Sequence, residues 1–318
     1  MAQTIQIFRT QVSPYQKKDF QKKEKKTIEG IKHKGHKLEY TLSPPTKNSI
    51  IITNTLTKIE KIMDIDWNLV KLIVHPNSGY DNFPFEFVEK AKFPIIIGNP
   101  IRAHAVCNYI LSCLFEHYNP IPKHKSWHKG RHWKRKFILT NKRVLLIGYG
   151  HIGKILHQVL LPLVREVAIY DPFKGKDELN VDGIDIVIPC ANLNPTCHYM
   201  INTKFLEKLS KNVLIINASR GAIIDPVDLT CFLQTHPTAF AYLDVYEKEP
   251  ADFSGFRKLD NVITTSHIAG VYHGLDRAIL NFEKTIITDF LSMPDKRAFK
   301  RKHAAILMKN RIHNGFLI

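Results

Sequence analysis

The sequence predicts an α/β chain of two units, each built on a parallel sheet, and three observations predict it. Six short hydrophobic runs between Arg143 and Thr265 read as strands, and each closes on a glycine, an acid, an arginine or a histidine. The first hundred residues repeat the alternation of strand and helix on a smaller scale. The length of 318 residues exceeds one typical domain and suits two, each large enough to bury a core.

In the first unit, Ile5–Phe8, Ser49–Ile52, Val70–Val74 and Ile95–Ile97 read as strands, with helical pieces such as Phe85–Lys92 between them. Arg102–Tyr118 carries Val106, Tyr109, Ile110, Cys113 and Leu114 at helical spacing and is expected to link the units. A basic, aromatic-spotted stretch, Lys123–Lys136, lacks periodicity and reads as a loop or arm. The second unit supplies Val144–Ile147, Val167–Tyr170, Ile184–Ile188, the run from Val213, Ala239–Val245 and Val262–Thr265 as strands. Leu275–Leu291 is helical again, and the last stretch is expected to return to the first unit. Both units are therefore expected to be Rossmann-like or flavodoxin-like, the larger a doubly wound parallel sheet, with boundaries at 1–100 plus 290–318 and at 101–289.

Composition narrows the class. The hydrophobic fraction of 44% is that of an ordinary globular protein, and no run approaches the length of a membrane span. Met1-Ala2-Gln3-Thr4 does not read as a signal peptide, and the five cysteines are odd in number without close metal-ligand pairing. Reduced thiols in a cytoplasmic protein are expected, with no metal and no membrane partner. The formal charge of +17 gathers at residues 17–37 and 123–136. Basic stretches with aromatics can track a phosphate backbone. No nucleic-acid motif accompanies them, however, so a solvated surface and a field favourable to small anions is the expected reading. Residues 17–37 read as a lysine-rich insert.

The glycine motif is the strongest local signal. Gly148-Tyr149-Gly150-His151-Ile152-Gly153 follows a strand and opens the amphipathic segment Ile152–Val164. Gly148 permits the tight turn, Gly150 lets the backbone approach a pyrophosphate, and Gly153 permits close helix packing, while the helix start offers N–H groups to phosphates. A second strand ends at Asp171, 18 residues after Gly153, where a dinucleotide fold places the carboxylate that holds the adenosine ribose diol. An aspartate there repels a 2′-phosphate, so NAD is the expected cofactor.

Three later strand ends supply chemistry. Asn217-Ala218-Ser219-Arg220-Gly221 delivers a guanidinium, suited to a bidentate grip on a carboxylate. Glu249 follows the strand that ends near Asp244-Val245, and His267 follows the last strand. Histidine is the natural proton donor and acceptor near neutral pH, and a carboxylate on its ring raises its pKa and fixes its tautomer. Singly, each residue has an ordinary structural explanation. Together, at successive strand ends, Arg220, Glu249 and His267 form a set able to bind a 2-keto acid and protonate its carbonyl.

These motifs, with Asp244-Val245-Tyr246-Glu247-Lys248-Glu249-Pro250, Ser266-His267-Ile268-Ala269-Gly270 and the loop Asn77-Ser78-Gly79-Tyr80-Asp81-Asn82, resemble the D-isomer-specific 2-hydroxyacid dehydrogenase family. The resemblance runs from about Ile50 to Leu291 with the motif order intact. It implies an NAD-dependent oxidoreductase interconverting a small 2-keto acid and a D-2-hydroxy acid, with Arg220 on the substrate carboxylate and carbonyl and His267 as acid and base beside Glu249. It further implies cofactor contacts from Gly148 to Gly153 and from Asp171, Cys190, Ala218, Ser219, Asp244 and Gly270. Asp244 would meet the nicotinamide carboxamide. Substrate contacts are implied from Asn54, Ser78, Gly79 and Arg220, the first unit being the substrate-binding one, and a homodimer is implied through the NAD-binding unit. Two places depart from the pattern. Cys190–Cys197 replaces a proline-leucine-threonine run, and Asn108-Tyr109 stand where a glutamate-histidine pair is common. A protein that retains the fold as an NAD(H)-sensing interaction or nucleic-acid-associated factor is the alternative.

Overall fold

A computed structural model describes residues 3–13, 16, 18–62, 64–123, 127, 136–293 and 295–318. Lys17 and most of the basic arm, residues 124–126 and 128–135, lie outside the described residues. The chain divides into two units, Met1–Arg102 with Tyr272–Ile318, and Ala103–Val271. No described helix is long and apolar enough to cross a membrane.

The first unit carries β1 (Gln3–Arg9), β2 (His36–Thr41), β3 (Ser49–Ile52), β4 (Val70–His75) and β5 (Ile95–Ile97). They pair in parallel in the order β2-β1-β3-β4-β5, the flavodoxin-like order. Strands buried on both faces read as continuous apolar runs, and β3 and β5 are buried at every position. The expected lysine-rich insert is instead part of this α/β unit, as the helix that precedes β2 and the start of that strand. Helix α1 (Phe20–Glu29) buries Phe20, Glu24 and Ile28, four residues apart on one face, and leaves its lysines on the solvent side. It leads into β2, an edge strand with only Leu38 and Tyr40 buried, too weakly apolar to stand out in the sequence.

Helix α2 (Phe85–Lys90) follows β4, and α3 (Asn99–Tyr118) carries the chain into the second unit. The expected boundary at 289 is corrected by packing. The helix Leu275–Ser292 belongs to the first unit, because Ile286 and Ile287 bury against Ile7, Ile50 and Leu72, and Leu275 and Ile279 against Phe20.

The second unit holds β6 (Arg143–Ile147), β7 (Glu166–Tyr170), β8 (Ile186–Pro189), β9 (Leu214–Asn217), β10 (Phe240–Leu243) and β11 (Val262–Thr264), all parallel, in the order β11-β10-β9-β8-β6-β7. Side chains alternate between two cores. Leu145, Val187 and Ile215 face one, and Val144, Leu146, Ile186 and Ile216 face the other with Ile110 and Leu114 of α3. The strand order reverses at β6, so the carboxyl ends of β6 and β8 open the crevice where such sheets take ligands.

One charged cluster sits inside the first unit. Arg9 lies 3.5 Å from both Glu24 and Glu283, with all three side chains at 1% exposure or less, and Tyr40 donates to Glu24. One guanidinium cannot neutralise two buried carboxylates. Burial, then the neighbouring Glu24 charge, push the Glu283 carboxyl well above its usual range against the pull of Arg9. A carboxyl raised in the folded state contributes its full share below the unfolded pKa, and that share is lost as pH rises through the folded value. Glu283→Gln keeps the shape and removes this penalty. Its melting temperature should exceed that of the wild type by a few degrees at pH 8 and by progressively less toward pH 4. A pH-independent difference in thermal unfolding would contradict the assignment.

Candidate active site

The site begins with backbone crowding at the end of β6. Gly148 adopts φ +103°, and a Cβ there would lie 2.7 Å from Ala191 N, so the turn closes directly on the chain leaving β8. A Cβ on Gly153 would reach 2.2 Å from the Gly148 carbonyl oxygen, which locks helix His151–Leu160 against the turn. Gly150 differs. A Cβ there would meet nothing within 4 Å, and Gly150 caps the helix without any side-chain hydrogen bond. An uncapped helix start beside open space fits the pyrophosphate of a dinucleotide. Tyr149, His151 and Ile152 are half-buried around this turn.

Asp171, at the end of β7, is buried, and its Oδ2 accepts the Tyr149 N–H at 2.7 Å and Lys174 Nζ at 3.1 Å. The carboxylate therefore reaches the glycine turn, as a ribose-binding acid must. At the end of β8 the Cys190 N–H donates to the Ile147 carbonyl at 2.7 Å. Burial pushes the Cys190 thiol up, and its Sγ donates to the Ile188 carbonyl at 3.6 Å, so this departure from the family pattern carries a neutral side chain packed on the core.

After β9 the chain turns sharply. Asn217 Oδ1 accepts from Ser219 N at 3.1 Å and Ser219 Oγ at 3.0 Å, while Asn217 Nδ2 donates to the Arg220 carbonyl at 3.0 Å. The half-buried Arg220 donates from its guanidinium to the Ser219 carbonyl at 2.7 Å. A Cβ on Gly221 would fall 1.9 Å from the Tyr246 carbonyl carbon, so this turn is pressed onto the loop that carries Glu249. Ala218 packs partly buried at the edge of the core.

His267 Nδ1 lies 2.7 Å from Glu249 Oε2, and Glu249 Oε1 accepts the Tyr246 N–H at 3.0 Å. Since an ionised carboxylate only accepts, Nδ1 carries the proton and Nε2 is left for chemistry. Burial pushes the Glu249 carboxyl up. The His267 hydrogen bond, the Tyr246 N–H and the positive charges of His267 and Arg220 outweigh it and hold the group below the usual carboxylate range. Arg220, Glu249 and His267 are thus brought together electrostatically, as their strand ends suggest.

Asp244 and Asn54 each hold a loop. Asp244 is fully buried, with Oδ1 accepting from Thr265 Oγ1 at 2.6 Å and Ile268 N at 2.8 Å, and Oδ2 accepting from Ala269 N at 2.8 Å. Its carboxylate is spent on the loop around His267, whose φ is +56°, with Gly270 half-buried at the loop's end. Asn54, in the first unit, is buried at 1% exposure and holds its own turn. Its amide donates to Gln11 O and Ser13 Oγ, and its Oδ1 accepts from Leu56 N. That side chain shapes the loop after β3. Ser78 and Gly79 follow β4. There the buried His75 donates from Nε2 to the Gly79 carbonyl at 2.7 Å and accepts from Thr53 Oγ1 at 2.8 Å, while burial lowers its pKa to about 4 and keeps it neutral.

Sequence reasoning missed Tyr109 and Thr265. Thr265 Oγ1 donates to Asp244, so Tyr109 must donate to Thr265 across their 2.7 Å contact. The departure at Asn108-Tyr109 was the available signal.

The family model for the D-isomer specific 2-hydroxyacid dehydrogenase NAD binding domain matches residues 111–269. Erythronate-4-phosphate dehydrogenase of Blochmanniella floridana is 29% identical over 237 residues, covering 70% of this chain and 59% of that protein. D-3-phosphoglycerate dehydrogenase of Archaeoglobus fulgidus is 27% identical over 265 residues, covering 78% and 50%. The chain therefore spans between half and three-fifths of the length of these curated relatives. The NAD-complexed D-isomer specific 2-hydroxyacid dehydrogenase of Lactobacillus delbrueckii ssp. bulgaricus shares the fold at a TM-score of 0.64 and 19% identity, covering 91% of this chain and 96% of that one.

The contact at Gly221 is backbone against backbone and cannot yield by a rotamer change. Gly221→Ala should therefore lose more than about 3 kcal/mol of stability, whereas Gly255→Ala, where a Cβ meets nothing within 4 Å, should lose less than about 1 kcal/mol. Paired thermal or denaturant melts check this, and equal losses would refute the crowding argument.

Proposed function

Because this chain belongs to the D-isomer-specific 2-hydroxyacid dehydrogenase family, we propose that it interconverts a small 2-keto acid and a D-2-hydroxy acid with NAD(H). The observation that carries the proposal is the His267–Glu249 pair at 2.7 Å, with the Arg220 charge acting on the same carboxylate. The cofactor is NAD, which supplies the hydride for reduction when bound. The glycine turn and helix start would hold its pyrophosphate, and Asp171 its adenosine ribose.

The protein's part is binding and proton management. Arg220 would hold the substrate carboxylate and polarise the carbonyl oxygen, since a planar guanidinium matches both groups. In reduction, His267 gives its Nε2 proton to that oxygen as the adjacent carbon gains the hydride. In oxidation, neutral Nε2 takes the hydroxyl proton back. Glu249 stays ionised on Nδ1 throughout, fixing the ring and its orientation toward the substrate oxygen. In the first unit, expected to be the substrate-binding one, His75 fixes the Gly79 carbonyl and so the loop of Ser78 and Gly79. The family reading extends to a cytoplasmic homodimer formed through the second unit.

The test is turnover of NADH against glyoxylate, hydroxypyruvate, pyruvate and a bulkier 2-keto acid. No turnover across the panel, with NADH binding intact, would favour a sensing role. His267→Ala should lower kcat by about 10²-fold or more and leave NADH affinity within a few fold. Lost cofactor affinity with residual turnover would mean that the histidine binds rather than transfers a proton.

A further inference from the structure

The assignment of the adenosine ribose to Asp171 rests on the dinucleotide reading above, and the lysines around that carboxylate take it further. By sequence logic a lone aspartate at this point repels a 2′-phosphate. The structure shows that it is not alone. Lys174 Nζ sits 3.1 Å from Asp171 Oδ2, the oxygen that also holds the Tyr149 N–H. The turn Pro172–Lys174 closes on Gly175 at φ +66°, and the chain then folds back. Asp171 N donates to Lys176 O at 2.7 Å, and Lys176 N to Asp171 O at 3.1 Å. This return brings Lys176 Nζ to 5.6 Å from the centroid of the Tyr149 ring, and Lys154, on the glycine-turn helix, places its Nζ 5.9 Å from the same ring. Three ammonium groups thus border a corner that holds one buried carboxylate. Asp177 and Glu178 come next in the exposed chain and form no ion pair with these lysines among the described residues.

We propose that this corner accepts the 2′-phosphate of NADP(H) as well as the ribose diol of NAD(H), making the chain dual in its cofactor. Two features argue for it. Lys174 already neutralises the group that would otherwise repel the phosphate, and the backbone pairing around Asp171 delivers Lys176 as a second cation. Lysine is a point charge on a flexible stem, so Lys174 can bridge carboxylate and phosphate without a fixed geometry. A phosphate monoester carries about −1.5 to −2 at pH 7, which two or three ammonium groups balance. The remaining Asp171 oxygen is still placed for a hydroxyl.

The experiment is equilibrium titration of the full chain with NADH and with NADPH by calorimetry, at low and moderate salt. NADPH should bind within about ten-fold of NADH, and its affinity should fall more steeply with salt. In the Lys174→Met/Lys176→Met double variant, the affinity ratio should move toward NADH by about ten-fold or more. NADPH binding more than about ten-fold weaker than NADH in the wild type, or a ratio unmoved in the double variant, would overturn the proposal while leaving NAD binding in place. Failure of both cofactors to bind would overturn the dinucleotide reading itself. NADH binding by the double variant reports that it is folded.

Discussion

The second unit's chemistry depends on one buried carboxylate that touches no bulk water. Asp244 ends β10 and gathers the loop after β11 through Thr265, Ile268 and Ala269. Its own carbonyl accepts the His267 N–H at 2.8 Å, and its N–H donates to the Asn217 carbonyl at 2.9 Å. A buried anion without partners costs several kcal/mol, so the loop must supply them. Hydrogen bonds to a charged group contribute roughly 1.5–3 kcal/mol each, while holding a residue such as His267 in the left-handed region costs roughly 1–2 kcal/mol. The bonds win, and the strained histidine is held where its Nδ1 meets Glu249. Tyr109 from α3 extends the same network through Thr265, tying the loop to the helix that packs beneath the sheet.

Close backbone approach does the rest of the positioning. Gly221 lets the turn after β9 lie against Tyr246, and this contact, rather than any side chain, keeps the Arg220 and Glu249 loops adjacent. Gly148 does the same between β6 and the chain leaving β8. That explains how the unusual Cys190–Cys197 segment can coexist with an otherwise regular site. The turn needs the Cys190 and Ala191 backbone there, and the backbone is present whatever side chains accompany it.

How far the sequence could be read follows from these forces. Strands β3 to β6 and β8 to β10 stood out because parallel strands buried at nearly every position read as apolar runs, and Gly148 and Gly153 stood out because crowding admits no side chain there. Edge strand β2 and helix α1 did not, since each buries only a few side chains and the lysines on the open face of α1 dominate its composition. Arg220, Glu249 and His267, the proposed catalytic set, were legible as residues following strand ends. Their partners were not, because hydrogen bonds such as Tyr109 to Thr265 join residues 156 positions apart and leave no periodic trace. Asn54 is a related case, its amide holding its own turn. A polar residue after a strand can face a ligand or hold its own turn, and only the bonding of its amide separates the two.

Asp244 and Glu249 show why the same chemical group takes different roles a few residues apart. Asp244 is wholly enclosed and accepts three hydrogen bonds, so its part is to hold geometry. Glu249 lies in a partly exposed loop and places one oxygen on Tyr246 N and the other on the His267 ring. The enclosed acid thus holds the loop that carries His267, while the partly exposed one faces the ring at which proton transfer is proposed.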